Sequence, residues 1–322
     1  MRTLGGRYRL VQRIGIGGMS EVWRGHDRVL DRPVAVKIMT AAAEGTLGDV
    51  SSVDLVRTEA RSAARLAHPN VAGVHDFGTS QAGDREVPYI VMELVEGQTL
   101  SDHMNAGPID WRIGVRICAE VAAALAAAHA EHVVHRDIKP ANIMLTPAGA
   151  KVLDFGIAAA VGTPDPDPDG PVMGTPAYVA PERFDGLPAT PATDMFSLGT
   201  LLYHCLSGRL PWHARTNTEL VHAQRYRDPD PLPHIEGLAP EVIDLCSRCL
   251  HREPRDRPTA LVAALLLAEA VDARVYVPLM ELGPPRRAKI SPWNERAAGA
   301  PTSAALVGPD ADVTDKVGRH RA

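Results

Sequence analysis

The feature that most constrains the fold is a change in hydrophobic period near residue 95. Before it, from Tyr8 onward, apolar runs are short and β-rich, and only the charged, Ala-rich stretch 53–66 has helical character. After it, runs such as 111–132 and 193–208 consist of helix formers and small apolar residues. The pattern predicts an α+β fold of two lobes, a small sheet with one main helix followed by a larger, mainly helical lobe.

The chain of 322 residues is long enough for two lobes and a tail. We expect the small lobe at 1–94 and the large lobe at 95–272, joined by a connector around 93–97. The crevice behind such a connector is the default binding site. The remaining segment, 273–322, is too polar and Pro-rich to bury a core, and we expect it to be mostly disordered.

Composition excludes several function classes. A net charge of −5 with 4% aromatic residues provides no overall basic field, so nucleic acid is not an expected partner. Four cysteines are too few for a disulfide scaffold, and the first ten residues contain no apolar signal core. The longest apolar stretch, 260–268, is too short to span a membrane. We therefore expect a cytoplasmic chain with no membrane segment.

A glycine-rich turn lies at 14–23, in IGIGGMSEVW. Glycines let the backbone approach phosphate oxygens closely with its N–H groups. Ser20 stands where a GxGxxG motif has its third glycine, and strand-like runs follow the turn, so a dinucleotide-binding βαβ unit is not expected. A flexible hairpin without a ligand is the alternative.

Two other segments place charge between apolar residues. VAVK ends in Lys37, and a lysine directed into a cleft needs a counter-charge or a phosphate. Glu59 is the available carboxylate, although a solvated strand lysine is the simpler interpretation. VVHRDIKPANIML, at 133–145, is either a solvated turn or a functional site.

Three more segments follow in order, KVLDFGIA at 151–158, GTPAYVAPE at 174–182 and ATDMFSLG at 192–199. Together with the earlier motifs they resemble the motif set of bacterial, actinobacterial-type Hanks serine/threonine protein kinases, from about Tyr8 to Ala270. The resemblance implies a bilobal kinase fold, ATP with Mg²⁺ or Mn²⁺, protein substrates and autophosphorylation. A pseudokinase scaffold and a small-molecule phosphotransferase remain alternatives, although the latter lacks a segment like GTPAYVAPE.

The resemblance also implies residue roles. Asp137 orients the substrate hydroxyl and accepts its proton, Lys139 balances charge at the γ-phosphate, and Asn142 and Asp154 supply oxygen ligands to Mg²⁺. Lys37 holds the α- and β-phosphates and is positioned by Glu59. The residues expected to bind the nucleotide are Ile14, Gly15, Gly17, Gly18, Val22, Ala35, Lys37, Met92, Glu93, Val95 and Leu145.

Other matched residues have structural or regulatory roles in this family. Asp194 is expected to cap backbone N–H groups near the catalytic loop, HRDIKPAN at 135–142, and Glu182 to pair with Arg257. Thr175 is expected to bond toward Asp137 and Lys139.

The activation segment, 154–182, departs from its relatives. Between Gly156 and Gly174 the only threonine is Thr163, and Asp165, Asp167 and Asp169 alternate with prolines. Carboxylates offer Arg136 part of the charge of a phosphate, so we expect partial activity without phosphorylation of this segment. The alternative is a solvated Arg136.

The remaining expectations concern assembly and metal binding. The resemblance also implies a weak back-to-back homodimer of small lobes, in which Arg7, Leu30 and Asp76 are expected to take part. Cys246 and Cys249 form a CxxC without a second ligand pair, so buried helix cysteines are expected there instead of zinc ligands.

Overall fold

The computed structural model describes residues 2–17, 20–39, 51–82, 85–155 and 175–278. A strand-rich lobe occupies the first part of this range and a mainly helical lobe the remainder. The last strand of the first lobe ends at Met92, and the next strand begins at Gln98, on either side of the expected connector. The α+β prediction of two lobes is confirmed.

The small lobe contains a six-stranded antiparallel sheet with the spatial order β1-β2-β3-β4-β6-β5. Its strands are β1 (Thr3–Leu4), β2 (Tyr8–Ile16), β3 (Glu21–Asp27), β4 (Arg32–Ile38), β5 (Val74–Ala82) and β6 (Arg85–Met92). The glycine-rich turn joins β2 to β3 as a hairpin, in which Ile16 pairs with Glu21. Because a strand follows the turn, the chain lacks the helix of a dinucleotide-binding βαβ unit at this point. Among the described residues of the small lobe, the one helix is α1 (Ser51–Ala63), which overlaps the predicted stretch 53–66.

Strand β4 places Lys37 by its alternation. Val34, Val36 and Ile38 are buried in one core cluster, on one face of the sheet. Ala35 lies on the opposite face and packs in the cluster that includes residues of α1. Because successive side chains of a strand point to opposite faces, Lys37 lies on the same face as Ala35. Its side chain is only 11% exposed.

The large lobe begins with a three-stranded sheet of order β7-β8-β9 and continues as packed helices. The strands are β7 (Gln98–Thr99), β8 (Ile143–Thr146) and β9 (Gly149–Val152). The helices are α2 (Leu100–Ala106), α3 (Trp111–Ala130), α4 (Pro181–Phe184), α5 (Pro191–Ser207), α6 (Asn217–Tyr226), α7 (Pro240–Cys249) and α8 (Ala260–Ala270). Short 3₁₀ turns lie at Pro140–Asn142, Thr175–Tyr178 and Pro254–Asp256.

Two buried helices form the centre of the large lobe. Helix α3 starts at Asp110, whose carboxylate accepts a hydrogen bond from the Arg112 amide at 2.8 Å, and its alanines allow α5 and α8 to pack closely. By length and composition α3 could cross a membrane, but 72% of its apolar window is buried, as in the core helix of a folded lobe. Helix α5 has a capping box at Thr190 and ends at Gly208, which has a left-handed φ of 69°.

The packed lobe extends past the predicted boundary at residue 272. Asp272, with φ 48°, ends the turn after α8, and the following residues alternate between more exposed and partly buried side chains. Val275 and Val277 pack against the core of the large lobe. From the sequence, this segment was assigned to the polar tail, because two valines among polar residues are too few to predict packing against a core. Residues 279–322 lie outside the described residues.

We expect the free energy of unfolding to fall as the pH drops below about 6.5. Burial lowers the pKa of His68, His75 and His204 from the usual 6.5, so folding favours their neutral forms. Their contribution is fully present above the unfolded pKa and is lost as the pH falls through the lower folded values. Urea unfolding at several pH values measures the slope. His204→Asn should reduce this slope, whereas the same change at the exposed His222 should not. Equal slopes in all three proteins would contradict the prediction.

Candidate active site

A cleft of about 920 Å³ lies between the two lobes and gathers most of the predicted site residues. Its roof comes from the β2–β3 hairpin, its back from β4 and its floor from the large lobe. Of the predicted residues, the cleft is lined by Ile14, Gly15, Gly17, Val22, Ala35, Lys37, Met92, Glu93, Val95, Asp137, Lys139, Asn142 and Asp154. These residues span positions 14 to 154, so only the tertiary fold brings them together.

The roof is a tight backbone turn. The amide of Gly17 donates to the Ser20 carbonyl at 2.8 Å and closes the hairpin. Gly15 packs opposite Val22, where its lack of a side chain keeps the hairpin thin. Gly18 lies outside the described residues. Backbone this close to the cleft is suited to a phosphate group.

The floor differs from the prediction by one residue. Met144, and not Leu145, lines the cleft. Leu145 instead packs against the core of the large lobe. Successive residues of a strand face opposite sides, so a one-residue error in assigning β8 exchanges the two roles.

The catalytic loop is held from below by Asp194. Its buried carboxylate accepts the backbone N–H of His135 at 2.9 Å and of Arg136 at 2.8 Å. Arg136 has a left-handed backbone with φ 73°, which a non-glycine residue adopts only when its surroundings enforce it. The two carboxylate bonds are such an enforcement, and this geometry is the cap expected from the sequence.

Asp137 is the centre of a small polar network. Its Oδ2 lies 2.7 Å from the Lys139 ammonium and accepts a hydrogen bond from the Asn142 amide at 2.9 Å. The Asn142 amide nitrogen also donates to the Asp137 carbonyl at 2.8 Å. These bonds fix the Asp137 carboxylate at the cleft surface, and they leave the Asn142 side-chain oxygen as the atom suited to a metal ion.

The ion pairs of Lys37 and Glu59 are a correction to the sequence analysis. In the described part of the chain, the Lys37 ammonium pairs with Asp154 at 2.9 Å, and Glu59 pairs with Arg136 at 2.9 Å. The position of α1 directs Glu59 to Arg136 of the large lobe instead of to Lys37. Arg136 therefore has a carboxylate partner in α1, which the sequence analysis did not predict. Asp165, Asp167 and Asp169 lie outside the described residues, so their contact with Arg136 stays a prediction.

His135 has a structural position below the same loop. Its Nε2 lies 2.7 Å from the Leu153 carbonyl, and its ring meets Phe155 edge-on with centroids 4.7 Å apart. Its side chain is fully buried. These contacts connect the catalytic loop to the segment that carries Asp154.

Glu182 and Arg257 form a buried pair at the base of the large lobe. The two terminal guanidinium nitrogens of Arg257 donate to the Glu182 carboxylate, at 2.7 and 2.8 Å. Although burial raises the pKa of Glu182, the hydrogen bonds and charge of Arg257 leave it lowered overall, so the carboxylate is ionised. This pair joins the segment after the activation loop to the start of α8.

Several functional contacts were missed by the sequence analysis. The Nε2 of His129 lies 2.8 Å from Asp194, so His129 supports the cap of the catalytic loop. The Tyr178 hydroxyl bonds to His204 at 2.7 Å. The six-residue spacing of His129 before His135, at the end of a predicted helix, was an available signal. Thr163 lies outside the described residues, as does the side chain of Thr175.

The cysteines do not form a metal site in the part of the chain that the structure describes. Cys118, Cys205, Cys246 and Cys249 are all buried and unpaired. Burial raises the pKa of the Cys246 thiol well above its usual value, as expected for a thiol in an apolar core. No group of three His, Cys, Asp or Glu residues suited to a metal ion occurs among the described residues. The CxxC is thus a pair of core residues.

The strand-rich small lobe, the helical large lobe and the polar cleft between them define the bilobal architecture of a protein kinase. The chain matches the protein kinase domain over residues 8–268 and belongs to that family.

The chain is also similar to named bacterial kinases. It is 40% identical over 258 residues to serine/threonine-protein kinase PknA of Mycobacterium tuberculosis H37Rv, covering 79% of this chain and 59% of the relative. It is 34% identical over 286 residues to PknL of the same strain, covering 88% and 70%. It is 38% identical over 243 residues to PrkC of Bacillus subtilis strain 168, covering 75% and 35%. The chain therefore spans about three-fifths of the length of PknA.

These matches confirm the resemblance to bacterial Hanks-type kinases that the motifs indicated.

Proposed function

We propose that this chain is a serine/threonine protein kinase that transfers the γ-phosphate of ATP to hydroxyl groups of proteins, itself included, in bacterial signalling. The observation that carries the proposal is the set of contacts around Asp137, with Lys139 at 2.7 Å and Asn142 at 2.9 Å in the cleft below the glycine-rich turn. Phosphoryl transfer needs positioning and charge neutralisation more than covalent chemistry, and this arrangement supplies both.

Asp137 orients the substrate hydroxyl and accepts its proton. Its carboxylate is held by Asn142 and balanced by Lys139, which also lies where negative charge develops on the transferred group. The capped backbone of residues 135–136 keeps this geometry in place before substrate arrives. The roles of these side chains are thus positioning, proton acceptance and charge balance.

The donor set also suits Mg²⁺ or Mn²⁺. Asn142 and Asp154 both line the cleft and offer side-chain oxygens, which hard cations prefer, and phosphate oxygens would complete the coordination. A bound ion would neutralise charge on the phosphates. Lys37 pairs with Asp154 at 2.9 Å, so phosphate binding by Lys37 requires it to exchange or share that partner.

The proposed activity has a direct test. The purified chain is incubated with γ-labelled ATP, magnesium and a generic basic protein, and the label is followed into protein and into small molecules. Transfer to Ser and Thr of protein supports the proposal. Nucleotide binding without transfer would instead indicate a pseudokinase scaffold, and label only in small metabolites a small-molecule phosphotransferase.

We further propose that the chain acts in the cytoplasm. Its four cysteines are all buried and unpaired, as is usual in a reducing compartment.

A weak homodimer through the small lobe belongs to the same proposal. Arg7 forms two bonds to the buried Asp27, at 2.8 and 2.7 Å, and lies 3.4 Å from Asp76. Asp27 also accepts the backbone N–H groups of Val29 and Leu30, whose side chains are 70% and 56% exposed. Arg7, Asp27 and Asp76 already pair with one another within the chain. The exposed side chains of Val29 and Leu30 are therefore the part of this surface that would contact a second molecule.

We expect a dissociation constant in the micromolar range or above, because two apolar side chains make a small interface. Sedimentation over a concentration series measures it. Leu30→Asp should abolish self-association, whereas Val262→Asp at an exposed position of α8 should not. A strict monomer at the highest concentration would contradict this prediction.

A further inference from the structure

The α1–β5 connector, residues 64–73, links two elements of the small lobe and is also hydrogen-bonded to the large lobe. Within it, the Asn70 side chain donates to the Ala150 carbonyl at 2.8 Å, and the Asn70 carbonyl accepts the Val152 amide at 2.8 Å. The Ala72 amide donates to the Val152 carbonyl at 3.0 Å. Residues 70–72 are therefore attached to β9 of the large lobe, although they continue into the sheet of the small lobe.

The same connector is bonded to the hinge of the nucleotide cleft. The Glu93 amide donates to the Gly73 carbonyl at 2.8 Å, and the Glu93 carboxylate accepts from the Gly73 amide at 3.3 Å. Lys151 of β9 pairs with Glu93 at 3.0 Å. Ala72 and Glu93 both line the cleft. A displacement of the connector thus reaches cleft-lining residues within one or two hydrogen bonds.

His68, near the start of the connector, holds the chain segment that follows the last helix. Its Nδ1 accepts a hydrogen bond from the backbone N–H of Asn70 at 3.1 Å, and its Nε2 donates to the Tyr276 carbonyl at 2.9 Å. The first bond shapes the connector and the second reaches 208 residues along the chain. Because a backbone N–H only donates and a carbonyl only accepts, the imidazole is neutral with its hydrogen on Nε2.

The segment that His68 holds is itself packed. Residues 271–278, which we call the strap, leave α8 through the left-handed Asp272 and form neither helix nor strand after that turn. Val275 and Val277 on one side pack against the large lobe, and Tyr276 between them offers its carbonyl to the connector. The strap is also the link to residues 279–322.

We propose that the strap acts on the nucleotide cleft through His68, which is a positioning residue for the hinge. Docking of Tyr276 on His68 holds the connector against β9 and so keeps Ala72 and Glu93 in place. Pulling the strap away, from whatever follows Pro278, loosens these residues and weakens nucleotide binding. The inference rests on the nucleotide site of the proposed function.

His68→Asn keeps one of the two hydrogen bonds of the imidazole, the one from Asn70, and removes the other, to Tyr276. The Asn oxygen occupies nearly the position of Nδ1 and accepts from the amide two residues on, as asparagine does in many turns. Its side chain is too short to reach Tyr276. The variant therefore keeps the connector turn and loses only the strap contact.

A second variant releases the strap from the other side. Val275→Ser with Val277→Ser removes its apolar contacts with the large lobe and leaves His68 unchanged. Val262→Ser, at a 44% exposed position of α8, is the matched control. All variants are made in the full chain.

The readouts are the dissociation constant for a non-hydrolysable ATP analogue with Mg²⁺ and the free energy of unfolding in urea. We expect His68→Asn and the double-serine variant each to weaken analogue binding roughly threefold to tenfold, and their combination to weaken it no further, because both break one coupling. The Val262→Ser control should bind like the wild type.

Three results would overturn the inference. Wild-type affinity in His68→Asn would show that the contact does not reach the cleft. Multiplying effects in the combined variant would show that the two sites act independently. A loss of unfolding free energy with unchanged affinity would reduce His68 to a structural role. Failure of the wild type to bind the analogue would instead reject the nucleotide site itself, and this inference with it.

Discussion

We expect Asp137→Asn to transfer phosphate about 10²- to 10⁴-fold more slowly than the wild type while binding nucleotide almost normally. Asparagine has the size of aspartate and still accepts a hydrogen bond from Asn142, so the loop should keep its shape. It is a poor proton acceptor, and it removes the negative partner that lies 2.7 Å from Lys139. The loss therefore falls on the transition state and not on the bound ground state.

Initial rates with labelled ATP and an exogenous protein substrate, together with the dissociation constant of an ATP analogue, test this. Asp102→Asn is the matched control, because Asp102 lines the same cleft and bonds instead to Thr99. It should leave the transfer rate within a few-fold of wild type. Wild-type transfer by Asp137→Asn would show that another group accepts the proton.

The largest expected effect on stability comes from Glu182→Gln. The Arg257 side chain is fully buried and donates to both carboxylate oxygens, so neutralising Glu182 leaves a guanidinium without its counter-charge. Breaking a buried ion pair by removing one partner costs about 3 to 5 kcal/mol. We expect the free energy of unfolding to fall by this amount, measured in urea at neutral pH.

Asp244→Asn provides the comparison. Asp244 pairs with Arg248 one turn away on the surface of α7, at 3.7 Å with both side chains at least half exposed. Exposed pairs of this kind contribute about 0.3 to 0.5 kcal/mol. If both substitutions had the same small effect, the Glu182–Arg257 pair would not be a stabilising element of the large lobe.

Much of the site was accessible from the sequence because kinase chemistry restricts residue type at each position. The spacing of Asp137, Lys139 and Asn142 within one loop sets their proximity, and the structure places all three on the cleft. The strand period of β4 likewise places Lys37 on the face of Ala35. Local spacing is enough wherever the contacts of a residue lie within its own element or loop.

Contacts between segments that are distant in the sequence could not be predicted from local spacing. Which carboxylate faces Lys37 depends on where α1 lies against the large lobe, and the structure pairs Glu59 with Arg136 instead. The choice between Met144 and Leu145 depends on the register of β8, where a shift of one residue reverses the face.

The sequence by itself determined the two lobes, the family and half of the residues that line the cleft, because hydrophobic period and motif order are properties of the sequence alone. Only the tertiary structure decided the partners of Lys37, Glu59 and Arg136, the face of β8 and the docking of the strap on His68. From the sequence alone, every carboxylate is an equally suitable partner for a given lysine or arginine, because only the fold sets the distances between them. The Coulomb and hydrogen-bond energies that select one partner over another depend on separations of a few ångströms.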